Sequence, residues 1–225
     1  MHFRQLFDAE SKALTYLLAD GKAGEAVVID PLKSQATLIL ALLAEHNLRL
    51  TYVLRTHVHR PDRSDCGELC LRTGAHFMLG ENTPDDIPSQ RLADGACINF
   101  GVEHITVLAT PGHTPGSVCY LWQDRLFSGD TLCIRGCDCA GDDADPGQLF
   151  DSVKHKLFTL ADETLVFPGH ELNGRTVSTI QEERQYNPSF AGLNREAFVV
   201  AAREDVRTSP RKRKTALLSH GQGKW

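Results

Sequence analysis

Four short segments of the chain carry metal-binding side chains, and each of them follows an apolar run that is typical of a β-strand. The segments are residues 56–59 (THVH), 110–117 (TPGHTPGS), 127–131 (FSGDT) and 167–170 (FPGH). A lone histidine after a strand is usually a surface or core residue, and a lone Gly-Asp pair is usually a turn. The joint occurrence of four such segments in one chain indicates a metal site.

The elements around these segments are predicted to alternate between strands and helices. Apolar, β-branched runs predict strands at 27–29, 52–54, 77–79, 105–109, 118–122, 125–127 and 164–167. Helix-forming runs predict helices at 38–46, 67–73, 148–160 and 176–185. This order predicts an α/β fold in which two mixed sheets are sandwiched between helices. Ligands collect where strands end, because a rigid sheet positions the loops that leave it.

Composition predicts one globular domain with a flexible extension. The chain has 225 residues, of which 41% are hydrophobic and 24% charged, with a net charge of −5. We expect a domain at 1–203 and a basic, flexible tail at 204–225, whose basic run at 211–214 is most simply a solvated segment. No apolar run approaches the ~20 residues that span a bilayer, and no secretion signal is predicted. We therefore expect neither nucleic acid nor a membrane as a partner.

Cysteine usage predicts a reducing compartment. The chain has seven cysteines, an odd number that argues against a disulfide framework, so we expect a cytoplasmic protein. Cys66 and Cys70 have helical spacing, which favours a place in the core. Cys133, Cys137 and Cys139 favour packing roles, while zinc binding or reaction with a sulfur substrate remain the alternatives.

The order of the four segments resembles that of the metallo-β-lactamase superfamily. Further motifs, among them IRGC at 134–137, LFDSV at 149–153 and TVST at 176–179, are similar to the persulfide dioxygenase (sulfur dioxygenase) branch, which is related to glyoxalase II. The resemblance covers roughly residues 3 to 190. It implies the αββα sandwich of that superfamily, with two mixed β-sheets flanked by helices.

The resemblance also implies a metal, a reaction and partners. One Fe(II) ion per chain would be held by His57, His113 and Asp130, with Zn(II) as the alternative metal. Two histidines and one carboxylate leave open positions on an octahedral Fe(II) ion, and iron supplies the redox electrons that O2 chemistry needs. The implied substrates are a small thiol persulfide, similar to glutathione persulfide, and O2. His59 and His170 are expected to orient water or substrate as catalytic residues, and the branch resemblance implies a homodimer.

Several positions depart from the branch pattern. The family motif HxHxDH has become HVHRPD here, so that Pro61 and Asp62 replace an aspartate and a histidine that hold a second metal in hydrolytic relatives. We therefore expect one metal and not two. The branch also has an arginine where this chain has Cys139 and a tyrosine where it has Leu172, which indicates altered substrate contacts.

Three functions follow as hypotheses. The first is a mononuclear iron dioxygenase that converts a thiol persulfide to sulfite and thiol. The second is a mononuclear zinc thioester hydrolase of the glyoxalase II type, in which His59 completes a three-histidine site. The third is a catalytically impaired protein that has kept the fold, for which Pro61, Asp62 and the segment around Cys139 are the motivation.

Overall fold

Two six-stranded mixed sheets form the centre of the computed structural model. The structure describes residues 2–59, 67–84, 87–139, 141–171 and 174–208. The first sheet follows chain order and comprises β1 (His2–Phe7), β2 (Leu14–Asp20), β3 (Glu25–Ile29), β4 (Arg49–Leu54), β5 (His76–Gly80) and β6 (Gln90–Leu92). Its first two pairings are antiparallel, and the pairings from β3 to β6 are parallel.

The second sheet also follows chain order. It comprises β7 (Cys97–Phe100), β8 (Glu103–Ala109), β9 (Val118–Trp122), β10 (Arg125–Gly129), β11 (Leu165–Pro168) and β12 (Ser178–Thr179). All pairings are antiparallel except that of β10 with β11, which is parallel. As a consequence β8, β10 and β11 run in the same direction, and their carboxyl ends lie at the same end of the sheet.

Helices cover the outer face of each sheet. They are α1 (Ala36–Glu45), α2 (Gly67–Thr73), α3 (Pro146–His155), α4 (Ile180–Tyr186) and α5 (Arg195–Thr208), with short 3-10 turns at Lys33–Gln35 and Leu157–Thr159. None of the helices in the described part of the chain combines the length and apolar character needed to cross a bilayer.

The core has three layers because successive side chains of a strand point to opposite faces of its sheet. In β3, Val27 and Ile29 belong to the central cluster between the sheets, whereas Ala26 and Val28 pack toward α1 and α2. A third cluster joins the outer face of the second sheet to α3, α4 and α5. The predicted αββα sandwich is thereby confirmed.

The element boundaries differ from the sequence prediction in a few places. The helix predicted over 148–160 ends at His155 and is followed by a 3-10 turn, and the helix predicted over 176–185 begins only at Ile180. Ser178 and Thr179 instead pair with β11, as suits β-branched and hydroxyl side chains. Helix α5 continues to Thr208, past the expected domain boundary at residue 203, while residues 209–225, including the basic run, lie outside the described residues.

Helix α4 fixes the loop that follows β10. The buried carboxylate of Glu183 accepts hydrogen bonds from the Arg135 amide (2.8 Å) and the Ser178 hydroxyl (2.6 Å). The amide nitrogen of the Asn187 side chain donates to the carbonyl oxygens of Cys133 (3.2 Å) and Gly136 (3.0 Å). These bonds hold the turn in which Arg135 adopts a positive φ of 60°, a conformation that costs free energy for a non-glycine residue.

The replacement Asn187→Ala tests this anchor. We expect the free energy of unfolding to fall by about 1–3 kcal/mol, because the Gly136 carbonyl, the Cys133 carbonyl and the buried Glu183 carboxylate each lose a hydrogen bond from Asn187. Urea unfolding followed by circular dichroism measures the change. The matched control is Asn99→Ala at an exposed position of β7, where a change within about 0.5 kcal/mol is expected. Equal destabilisation by both variants would contradict the role assigned to Asn187.

Candidate metal centre

The residues predicted to bind metal lie at the ends of strands from both sheets. His57 and His59 follow β4, His113 lies in the loop between β8 and β9, and Asp130 and His170 follow β10 and β11. The amide of Val118 donates a hydrogen bond to the Thr56 carbonyl (2.8 Å), which ties the loop after β4 to the second sheet. Residues distant in sequence therefore meet at one place.

Three imidazole rings pack edge to face in this cluster. The ring centroids lie 4.6 Å apart for His57 and His113, 5.0 Å for His57 and His59, and 4.8 Å for His59 and His113. The Nε2 atoms of His113 and His59 are 3.2 Å apart. The Oδ2 atom of Asp130 lies 3.6 Å from His57 Nε2 and 3.7 Å from His113 Nε2.

The hydrogen bonds of His57 fix its proton on Nδ1. Thr56 Oγ1 lies 2.7 Å from a carboxylate oxygen of half-buried Asp30, to which it donates, and 3.0 Å from His57 Nδ1. Since the hydroxyl proton points to Asp30, Thr56 Oγ1 accepts from the Nδ1 hydrogen of His57. Burial lowers the pKa of His57 to about 3, so the ring is neutral at physiological pH. Its Nε2 lone pair therefore faces the cluster.

His113 is oriented in the same way by a backbone carbonyl. Its Nδ1 atom lies 2.8 Å from the carbonyl oxygen of Asp138, which can only accept, so the proton is on Nδ1 and the lone pair is on Nε2. Gly112 precedes it with a φ of 136°, and a Cβ atom at that position would lie 2.2 Å from the backbone nitrogen of Leu149 in α3. Only glycine allows this close approach of the loop to the helix.

Asp130 is a buried carboxylate with a histidine partner. Its Oδ1 atom lies 2.8 Å from His170 Nδ1. Burial alone disfavours the charge of Asp130, but the hydrogen bond from His170 and the neighbouring histidines hold its pKa below the usual value of 3.8. The same hydrogen bond raises the pKa of His170, whose side chain is half-buried. Asp130 is thus ionised, with Oδ1 occupied and Oδ2 directed into the cluster.

This donor set fits a metal ion. The Oδ2 atom of Asp130 lies beyond hydrogen-bond distance of the Nε2 atoms of His57 and His113, yet all three atoms turn lone pairs toward one region. A cation satisfies such a group of buried acceptors, and two imidazoles with one carboxylate suit Fe(II) or Zn(II). His59 Nε2 lies 3.2 Å from His113 Nε2, so His59 is a further possible ligand for a metal bound at this place.

Asp138 is a member of the cluster that the sequence motifs do not indicate. A carboxylate oxygen of Asp138 lies within 4.8 Å of donor atoms of His113 and Asp130. Asp138 follows Cys137, and its backbone carbonyl also orients His113. The sequence signal for it was only an acidic residue in a segment that departs from the branch pattern.

The structure places the other predicted residues as follows. His170 forms a hydrogen bond with Asp130, as a positioning partner would.

The three cysteines near the site differ in burial. Cys133 and Cys139 are buried and Cys137 is half-buried, with Cys137 Sγ 3.7 Å from Cys139 Sγ. Among the described residues the groups able to hold a metal contain histidine and aspartate only, which gives no support to a zinc site made of these cysteines. Pro61, Asp62, Cys66 and Leu172 lie outside the described residues.

Comparison with known proteins identifies the family of this chain. Residues 71–170 match the family model of the metallo-β-lactamase superfamily. The chain is 38% identical over 202 residues to the mitochondrial persulfide dioxygenase ETHE1 of Homo sapiens, covering 87% of this chain and 78% of that protein. The crystal structure of ETHE1 from Myxococcus xanthus is similar with a TM-score of 0.87 and 42% identity, covering 95% of this chain and 94% of the other.

Hydrolases of the same superfamily are also similar. A hydroxyacylglutathione hydrolase from Cereibacter sphaeroides is 33% identical over 199 residues, which are 85% of this chain and 74% of that protein. The αββα fold and the histidine–aspartate cluster thus define a protein of the metallo-β-lactamase superfamily. Within that superfamily, the chain belongs to the persulfide dioxygenase family, whose members are oxidoreductases.

The replacement Thr56→Val tests how the cluster is oriented. Valine keeps the shape of threonine but cannot accept the Nδ1 hydrogen of His57, so we expect metal affinity to fall by about 10–100-fold. Competition between the protein and a zinc indicator dye measures the affinity.

Thr51→Val is the matched control on β4. Its buried hydroxyl has no hydrogen-bond partner among the described residues, so its loss should leave metal affinity unchanged. An affinity of Thr56→Val equal to that of the control would contradict the orientation deduced for His57.

Proposed function

We propose that this protein is a mononuclear iron dioxygenase that oxidises a small thiol persulfide, similar to glutathione persulfide. The observation that carries the proposal is the set of lone pairs on His57 Nε2, His113 Nε2 and Asp130 Oδ2, directed at one region in a chain of the persulfide dioxygenase family. The partners would be the persulfide and O2, in a homodimer. The overall reaction combines persulfide, O2 and water to give thiol, sulfite and two protons.

His57, His113 and Asp130 would hold the ion, and a bound Fe(II) would supply the redox electrons that O2 chemistry requires and Zn(II) lacks. His57 and His113 would contribute the Nε2 atoms as metal ligands, because their Nδ1 protons are engaged by Thr56 Oγ1 and the Asp138 carbonyl. Asp130 would contribute one negative charge, which lowers the net charge of a divalent centre. Three protein ligands would leave coordination positions open for the substrate sulfur.

His170 is suited to handle protons during this reaction. Its Nδ1 hydrogen is held by Asp130 Oδ1, and its side chain is 35% exposed. Because the hydrogen bond to Asp130 raises the pKa of His170, its Nε2 can take up a proton released near the centre and pass it to solvent. His59, which is packed against His113, would orient water or substrate.

The alternative is a mononuclear zinc hydrolase of thioesters. The 3.2 Å approach of His59 Nε2 to His113 Nε2 favours it, because three histidine nitrogens together form the ligand set of many catalytic zinc sites. The similarity to hydroxyacylglutathione hydrolases supports it as well. A catalytically impaired protein is the third hypothesis, for which the substitutions at Pro61, Asp62 and Cys139 are the reason.

The decisive experiment is oxygen uptake by protein loaded anaerobically with Fe(II) and supplied with glutathione persulfide. We expect oxygen uptake by the parent chain and a loss to background in His113→Ala. This change removes one of the two imidazole ligands whose orientation is fixed by a hydrogen bond at Nδ1. His104→Ala, at an exposed position of β8, is the matched histidine control and should retain full uptake. Sulfite formed in proportion to oxygen consumed would establish the products.

Element analysis separates the three hypotheses. About one zinc per chain with hydrolysis of S-lactoylglutathione and no oxygen uptake would favour the hydrolase. No bound metal after purification without chelator, and none retained after loading, would favour the impaired protein. Uptake in the parent that does not exceed that of His113→Ala would overturn the dioxygenase proposal.

A further inference from the structure

Cys137 and Cys139 form a close pair of thiols beside the metal centre. Their sulfur atoms are 3.7 Å apart, and the structure contains no bond between them. Cys139 is buried against the cluster on the outer face of the second sheet, whereas Cys137 is half-buried. The reaction proposed above uses neither thiol.

The residue between the two cysteines is connected to the metal centre through its backbone. The carbonyl oxygen of Asp138 accepts the Nδ1 hydrogen of His113 (2.8 Å). The amide of Asp138 donates weakly to the Asp130 carbonyl (3.4 Å). A change in the backbone between Cys137 and Cys139 therefore acts directly on the group that orients His113.

We propose that Cys137 and Cys139 are a thiol–disulfide exchange site for small disulfides, and that oxidation of the pair weakens metal binding through Asp138 and His113. The exchange chemistry stands on the cysteine geometry alone, and its effect on the metal rests on the function proposed above. Nothing in the metal-binding motifs requires two cysteines at this spacing.

The exposure of the two thiols sets the order of the exchange. The thiolate of the more accessible Cys137 attacks one sulfur of a disulfide RSSR, the S–S bond breaks, and RS⁻ leaves and takes a proton. The thiolate of Cys139 then attacks the Cys137 sulfur of the mixed disulfide and releases the second RSH. The protein loses two electrons and two protons, and the small disulfide becomes two thiols.

The hydrogen bonds of the preceding turn indicate which part of the backbone can adjust when the bond forms. A disulfide is about 2.05 Å long, so the sulfur atoms must approach from their present 3.7 Å. The preceding turn is held by Asn187 and Glu183, which bind the backbone of residues 133, 135 and 136. The adjustment therefore falls on residues 137–139, and with them on the Asp138 carbonyl.

Cys133 is the competing partner for Cys137. It is fully buried, and burial raises the pKa of its thiol well above the usual value, which makes its thiolate scarce. Trypsin cleavage after Arg125, Arg135 and Lys154 places Cys133 in fragment 126–135 and the proposed pair in fragment 136–154. Peptide mapping can therefore distinguish the two pairings.

The first measurement treats the cobalt(II)-loaded protein with glutathione disulfide and maps the tryptic fragments by mass spectrometry. We expect fragment 136–154 to become lighter by two hydrogen atoms and to regain them with dithiothreitol. Cys139→Ser should instead retain one glutathione on Cys137. Unchanged mass of fragment 136–154 while exposed Cys97 becomes glutathionylated would overturn the proposal, as would a cross-link to fragment 126–135.

The second measurement compares cobalt(II) affinity before and after oxidation, by competition with a chelator. We expect oxidation to lower the affinity by about 10–100-fold, because His113 loses the acceptor that orients it. The double variant Cys137→Ser/Cys139→Ser should keep the affinity of the reduced protein under both conditions, and Cys97→Ser should respond as the parent does. A disulfide that forms without a change in affinity would overturn the coupling to the metal.

The absorption spectrum of the cobalt(II) protein supplies the last control. A thiolate-to-cobalt charge-transfer band in the reduced protein would mean that the cysteines bind the ion themselves, which would overturn the exchange role. Failure of oxygen uptake with a normal mass shift would count against the dioxygenase alone, because the mass shift needs no reaction at the metal.

Discussion

The negative charge of Asp130 is the constraint on which the rest of the site depends. A carboxylate this deeply buried is costly unless hydrogen bonds and positive groups surround it. His170 supplies one hydrogen bond, to Oδ1, and leaves Oδ2 directed toward His57 and His113. Since both imidazoles offer lone pairs and not protons to that oxygen, the arrangement is suited to a cation among the three groups.

The two-sheet fold provides the place where these groups meet. The parallel pairing of β10 and β11 puts Asp130 and His170 side by side. The loop between β8 and β9 brings His113 to the same end of the sheet. The contact between Thr56 and Val118 then joins the histidines of the first sheet to the second. The positions of the protons on His57 and His113 are fixed by neighbouring groups. Thr56, which is bonded to Asp30, holds the Nδ1 proton of His57, and the Asp138 carbonyl holds that of His113.

Much of this could be predicted from the sequence, for physical reasons that differ between elements. Residues in short motifs at strand ends, such as His113 and Asp130, were found because their spacing and flanking glycines are visible in the chain itself. The sandwich followed from alternating apolar runs. Strand β1 and helix α5 were missed, because His2–Phe7 mixes polar and apolar residues and α5 begins with charged side chains. Strand β2 was also missed, although its apolar run is visible in the sequence.

The groups that orient the site were harder to foresee. Asp138 acts on His113 through a backbone carbonyl, which any residue possesses, so no side-chain pattern marks it. Asp30 reaches Thr56 across neighbouring strands, and that contact exists only once β3 and β4 pair. The start of α4 was predicted too early because Ser178 and Thr179 gain more from pairing with β11 than from a first helical turn.

The scattered origin of the cluster has a consequence for the order of events during synthesis. Its side chains come from positions 57, 59, 113, 130 and 170, which follow strands of two different sheets. During synthesis, His57, His59, His113 and Asp130 leave the ribosome before His170 does. Asp130 therefore has no hydrogen bond from His170 until β11 has paired with β10. A metal ion held by these residues would therefore bind tightly only after most of the domain has been made.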